Sequence, residues 1–162
     1  MQHIYAPWRS EYFTQKVDGC VFCNIVKETK KDEELGVLFR DTHCFGVMNR
    51  YPYTPGHFMI IPNKHTDAIE TLDEETWLQM SLHVKSGVKM LKDGFGAHGV
   101  NIGMNLGVEG GAGIAEHVHY HLVPRWRDTN FITSIGGARV YGIEFEKIYK
   151  DMKKLVDEYI NL

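Results

Sequence analysis

Cysteine is scarce in this 162-residue sequence: there are three, an odd number, which leaves no basis for a disulfide framework. Five prolines and sixteen glycines fall between patterned segments, so no Pro- or Gly-rich linker divides the chain, and 1–162 reads as a single domain. A dominant charge is missing too. Lys and Arg number 18 against 21 Asp and Glu, a formal net charge of −3, with no basic run beyond short pairs. That balance excludes nucleic acid or an anionic membrane as the main partner and favours a small ligand. No stretch approaches the ~20 apolar residues of a membrane span, and "MQHIYAPWRSEYF" has no apolar signal core. The chain is therefore expected to be soluble and cytoplasmic.

What is present suffices for a core: 43% of the residues are hydrophobic and 12% aromatic. Short β-patterned runs at 37–41, 44–49 and 57–62, the last two separated by the turn-rich "RYPYTPG", read as successive antiparallel strands. "TLDEETWLQMSLHVKSGVKMLKDG" has Thr71 and Glu74 at capping-box spacing and Trp77, Met80, Val84, Val88 and Leu91 on one face, which predicts a helix ending at Gly94. His83 lies off that stripe and reads as a solvated surface residue. His3, His43 and His98 fall in loops or at element ends with no partner in view. Phe145, Ile148, Tyr149, Met152, Val156 and Tyr159 predict a second, C-terminal helix. The order of elements implies an α+β fold on a mainly antiparallel sheet.

In "GVNIGMNLG", Val100, Ile102, Met104 and Leu106 alternate with Asn101, Gly103, Asn105 and Gly107, one face apolar and the other small or polar. "AEHVHYHLVPRW" repeats the pattern, with His117, His119 and His121 alternating with Val118, Tyr120 and Leu122. Paired as a hairpin, the two segments present one floor of amides, bare backbone and imidazoles, the candidate site. The competing reading is an ordinary half-exposed sheet, but such positions usually carry Thr, Lys or Glu. The connecting glycines Gly107, Gly110, Gly111 and Gly113 form either a concave anion nest or a plain flexible loop.

The three imidazoles cannot share one task. Same-face strand positions are ~6.6 Å apart, so one metal cannot easily take all three, and Glu116 is expected on the opposite face. "CVFC" offers Cys20 and Cys23 at zinc-ligand spacing; with His65 and one end of the triad they would make a closed, structural Cys₂His₂ site. Two buried thiols or a redox pair are the alternatives. The middle imidazole, His119, suits nucleophilic attack on phosphorus, because an imidazole of pKa ~6.5 is mostly unprotonated at neutral pH. His121 and Asn105 would donate hydrogen bonds to the phosphate oxygens.

These residues carry a resemblance. "HVHYHLV" resembles the signature of the histidine-triad (HIT) nucleotide hydrolases and transferases. "YAPWR", "GCVFC", "NRYPYTPGHFMIIPNKH", "NIGMNLG", "GGAGIAEHVHYHLVPRW" and "DTNFITSIGG" look like the bacterial branch that includes diadenosine tetraphosphate phosphorylases. The resemblance implies a homodimer of α+β protomers whose five-stranded sheets join across the interface. It places the nucleotidyl-accepting role on His119, phosphate contacts on His121 and Asn105, ribose contacts on Asn49 and an orienting role on His57. It implies zinc on Cys20, Cys23, His65 and His117. Many hydrolase members carry Gln and then Ser or Thr where this chain has Gly113 and Ile114. The phosphorylase-like branch has small residues there together with a Trp, here Trp126, and the space left near Gly111 and Gly113 would admit inorganic phosphate in place of water as acceptor. A phosphoramidase in the same fold, which needs a general acid not visible in the sequence, and a non-catalytic nucleotide-binding module are the alternatives. Tyr51 and Tyr53 read as packing around their turn or touching the base, and Trp8 as a packing or dimer residue.

Overall fold

The computed structural model describes residues 18–127 and 143–162, so His3, Trp8, "YAPWR" and "DTNFITSIGG" lie outside the described residues. Two short helices, α1 (Val21–Lys27) and α2 (Asp32–Leu35), precede strands β1 (Val37–Arg40), β2 (Cys44–Met48) and β3 (Phe58–Pro62). A long helix α3 (Glu74–Lys89) ends in a wide turn over Met90–Gly94, after which come β4 (Gly99–Gly103), β5 (Tyr120–Arg125) and the C-terminal helix α4 (Phe145–Tyr159). The strands form one sheet in the order β1-β2-β3-β5-β4 with antiparallel neighbours, as expected. No described helix is long and apolar enough to cross a membrane.

Every residue of β2 and β3 is buried, because both faces of the sheet are covered. On one side Leu38, Phe58 and Ile60 pack with Met80 and Val84 of α3 and Ile148, Met152 and Val156 of α4. Close approach of α3 depends on Gly87, where a β-carbon would stand 2.7 Å from the Phe58 ring and 2.8 Å from Leu122. On the other side Val37, Phe45, Val47 and Ile61 pack with Phe22 and Ile25 of α1. The segment holding "CVFC" is thus the lid of the second face.

Four expectations are corrected. Helix α3 is capped by Asp73, whose side chain accepts from the Thr76 amide at 2.8 Å, and not by Thr71, whose hydroxyl is engaged by Thr66 and the Ala68 carbonyl. His83 is not on the surface: only 2% exposed, it bonds to the Asp41 carboxylate and to Gln79 at 3.1 Å, with its ring 4.8 Å from Phe39. Desolvation, the largest influence on Asp41, raises its pKa, but the His83 hydrogen bond and the Cys44 and His43 amides together bring it below the usual carboxylate value. His43 and His98 also have partners, Thr76 Oγ1 and the Arg127 amide. Finally, Ile102 and Leu106 are 49% and 44% exposed instead of packed, because β4 is the sheet's edge and lies beyond the cover of α3, whereas Val100 and Met104 do reach the core.

Candidate active site

The hairpin expected of the two polar-faced segments is formed: β4 pairs with β5 from Gly99↔Arg125 to Gly103↔His121. Pairing stops at Tyr120, and the chain carrying His117 to His119 leaves the ladder, held by the Val118 amide on the Thr66 carbonyl at 2.8 Å. The His119 and His121 rings lie 4.7 Å apart between centroids, edge to face. His119 and His121, with Asn49, Asn105, Gly111 and Gly113, line a cavity of about 730 Å³ whose opposite wall is apolar, built from Phe22, Ile25, Leu35, Val47 and Met59. Glu116 lines the same cavity, contrary to the expectation from strict alternation.

The backbone fixes the proton positions. His119 Nδ1 lies 2.8 Å from the His117 carbonyl, which can only accept, so Nδ1 carries the hydrogen and Nε2 keeps its lone pair. By the same logic His117 Nε2 donates to the Pro62 carbonyl at 2.9 Å, which turns the unprotonated Nδ1, with its lone pair, toward the cysteine sulfurs. The Tyr53 amide donates to His57 Nδ1 at 3.2 Å, so His57 must hold its proton on Nε2 and pass it toward His121 Nδ1 at 3.0 Å. His121 then carries hydrogen on Nε2. The Asn49 amide nitrogen, 3.4 Å from His57 Nε2, meets an atom already donating, so the shorter contact sets the arrangement. His57 itself is fully buried and acts from behind the floor, with Tyr53 stacked on it at 5.2 Å.

Burial pushes the His119 pKa down against the opposing effect of the His117 carbonyl, and burial followed by the neighbouring His119 pushes His121 down to about 4. Both rings are thus neutral at physiological pH.

The glycine connection fulfils half of its expectation. Gly107 and Gly111 take positive φ of 71° and 86°, but the Gly111 and Ala112 amides bond to the Val108 and Gly107 carbonyls. Those two amides are spent inside the loop, while Asn105 Nδ2 ties the loop down at the Gly111 carbonyl, 3.3 Å away. Trp126 is not among the described residues that border the cavity; its indole donates to the Gly96 carbonyl at 3.1 Å and its ring meets Phe95.

Cys20, Cys23, His65 and His117 converge, with one ligand atom from each within 4.8 Å of the others. The sulfur to Nδ1 distances are 3.4 Å (Cys20–His117), 3.2 Å (Cys23–His65) and 3.7 Å (Cys23–His117). Zn–S and Zn–N lengths of ~2.3 and ~2.05 Å make the S···N edge of a tetrahedron ~3.6 Å, so the set fits zinc. Burial pushes the Cys20 thiol up, and a divalent cation is what would deprotonate it. A second cluster, Asp41, Cys44 and His83, is closed by its own hydrogen bonds. Sequence reasoning missed Phe22, whose ring meets His117 at 5.5 Å and His119 at 5.0 Å; its place between the two cysteines was the available signal.

Comparison with known proteins agrees. The model of the HIT domain matches residues 30–128. AP-4-A phosphorylase of Mycobacterium tuberculosis (strain H37Rv) is 36% identical over 165 aligned positions, covering 96% of this chain and 83% of the relative. A Zn-bound histidine triad family protein from Mycobacterium smegmatis superposes with a TM-score of 0.69 at 24% identity, over 86% of this chain and 94% of that one. A hypothetical histidine triad nucleotide-binding protein from Sulfolobus tokodaii gives a TM-score of 0.67 at 25% identity, over 87% and 91%. Three alternate histidines leading into an inner strand of a five-stranded antiparallel sheet, a domain match and a relative alike along nearly the whole chain lead to one statement: this protein belongs to the HIT family.

Proposed function

We propose that the protein is a nucleotidyl transferase that splits dinucleoside polyphosphates through a nucleotidyl-histidine intermediate, with inorganic phosphate favoured over water as acceptor. The observation that carries the reading is the His119 tautomer, which leaves the Nε2 lone pair available to the ligand cavity. Nε2 attacks the α-phosphorus and the bond to the bridging oxygen breaks. The nucleoside polyphosphate leaves with that electron pair, needing little protonation because it is already acidic. Positive charge growing on the His119 ring is met by the His117 carbonyl at Nδ1. His121, its proton held on Nε2 by His57, donates to a phosphate oxygen. A phosphate oxygen of the acceptor then attacks phosphorus, the P–N bond breaks, and His119 is regenerated. The likeness to AP-4-A phosphorylase and the open wall at Gly113 support phosphate in the second step.

Incubation with diadenosine tetraphosphate, with and without phosphate, tests this directly. Phosphate should raise turnover several-fold and shift the products from AMP plus ATP to ADP plus ATP; identical AMP yields under both conditions would make the enzyme a hydrolase. Adenylyl-lysine turned over in preference would favour the phosphoramidase, and no turnover at all the binding module.

A pH dependence follows from His121. Its folded-state pKa, about 4, lies below the ~6.5 of an unfolded histidine. Protonation would put hydrogens on both His57 Nε2 and His121 Nδ1, 3.0 Å apart. kcat/KM should therefore stay level from pH 8 to near 5 and fall only below that, and an acid limb centred near 6.5 would contradict the assignment. For folding, the lowered pKa means a contribution complete above ~6.5 and lost as pH falls from ~6.5 toward 4, where the unfolded chain binds the extra proton.

The reading includes a structural zinc on Cys20, Cys23, His65 and His117. A closed set supplies no reaction chemistry; it ties α1 to the triad segment. It also includes a homodimer through the β4 edge, supported by the exposed Ile102 and Leu106.

A further inference from the structure

The cavity carries one permanent cation, and the histidine chemistry does not use it. Arg50 is the only Lys or Arg among the described residues that line the cavity. Its guanidinium lies over the Phe145 ring, 5.6 Å from the centroid, at the start of α4. Phe145 in turn stands against Gly36, so close that a β-carbon there would be 3.0 Å from its ring, and it packs on the core beneath α4.

The contrast with Arg40 is informative. Arg40 is consumed by structure, bonded to Asp32 at 2.8 Å and to the Ile25 and Glu28 carbonyls. Arg50 forms no ion pair with a described residue, and a ring face holds it without using any of its five N–H donors. Asn49, which joins Arg50 to the histidine floor, lines the same cavity and lies 3.4 Å from His57, the ring that bonds His121. A planar fork there, pre-set on an aromatic platform, matches phosphate oxygens.

We propose that Arg50, seated on Phe145, binds the phosphate chain of the nucleotide and makes affinity rise with the number of phosphates. The proposal rests on the nucleotide reading of the cavity above. It makes Arg50 a specificity determinant that favours polyphosphates over monophosphates, and Phe145 the positioning residue that aims it.

Calorimetric titration of adenosine, AMP, ADP and ATP into wild type, R50A, R50K and F145L, at low and high salt, tests it. Wild-type affinity should rise from AMP to ATP and weaken with salt. R50A should lose roughly tenfold or more for ATP, as expected for removing a charged hydrogen-bond partner, with adenosine affinity unchanged. R50K should recover part of the loss, since it restores charge without the fork. F145L should cost about two- to fivefold, the size of an exposed cation–π contact. Arg50 is exposed, so R50A should melt like wild type and remains decisive if F145L folds poorly. A wild-type increment from AMP to ATP preserved in R50A overturns the proposal while leaving the nucleotide reading intact. Failure of the wild-type protein to bind any of the four ligands overturns both.

Discussion

Replacing His119 with alanine is expected to lower turnover of diadenosine tetraphosphate by roughly 10⁴-fold or more, the range found when a covalent nucleophile is removed. Substitution at His121 should cost less, about 10²- to 10³-fold, because it removes one hydrogen-bond donor to the developing charge and leaves the covalent route open. The ranking matters more than either number. If His119 were only a phosphate ligand, the two losses would be alike and no covalent species would exist. The checks are kcat/KM for each variant and intact-protein mass after brief mixing with substrate and acid quench. Wild type should gain one nucleotidyl group and His119→Ala none. Nucleotide binding should survive in His119→Ala within a few-fold, because the apolar wall of Phe22, Ile25 and Val47 is untouched. Full activity or retained labelling in His119→Ala would remove the mechanism.

Much of this site was legible from alternation alone. Val118 and Leu122 do turn into the core while His119 and His121 line the cavity, and the expected pairing of the two polar-faced segments is formed. The C-terminal helix buries Ile148, Tyr149, Met152 and Val156, the stripe its spacing predicts. What stayed illegible depends on a second layer. Periodicity says that one face of a helix is apolar, but not how wide the covered arc becomes. His83 therefore read as solvated, although Asp41, 42 residues away in sequence, waits for it beneath α3. The reverse error occurred at Ile102, on an edge strand that no helix covers, and at Leu106, in the segment that follows it, both apolar and correctly alternating. Arg50 could not be distinguished from Arg40 in sequence, since one is paired by α2 and the other only faces a ring.

The tautomers were equally out of reach, because they are written in backbone groups. A carbonyl from Pro62 turns His117 toward the sulfurs, a carbonyl from His117 turns the His119 lone pair outward, and the Tyr53 amide sets His57 and through it His121. His117 is thus the joint between two functions. Its side chain faces the cysteines and its carbonyl orients the His119 ring, the proposed nucleophile.

From that joint comes the second large effect, on stability. Cys20→Ser should abolish zinc retention and lower the melting temperature by about 10 °C. In peptides that fold only around zinc, the metal supplies ~10–16 kcal/mol, but here Phe22 and Ile25 already anchor α1 to Val37, Phe45 and Ile61. Losing one ligand of this set, in which His117 is buried and His65 exposed, should therefore cost no more than ~3–5 kcal/mol, the range for breaking a buried ion pair. At ~2–4 °C per kcal/mol for a domain of this size, the shift is of that order. Activity should fall much less than in His119→Ala, because the group that orients His119 is the His117 carbonyl, which the substitution leaves in the chain. Elemental analysis should find about one zinc per wild-type chain, and exhaustive chelation should reproduce the Cys20→Ser melting curve. Amide exchange should accelerate first in α1 and in the segment around His117, the two pieces that the proposed metal would join, while α3 and α4 stay protected on the opposite face of the sheet. Freshly purified wild type without metal, or a Cys20→Ser protein that melts unchanged, would show that packing around Phe22 alone holds this corner, and the nucleophile would then owe its orientation to the apolar contacts of α1.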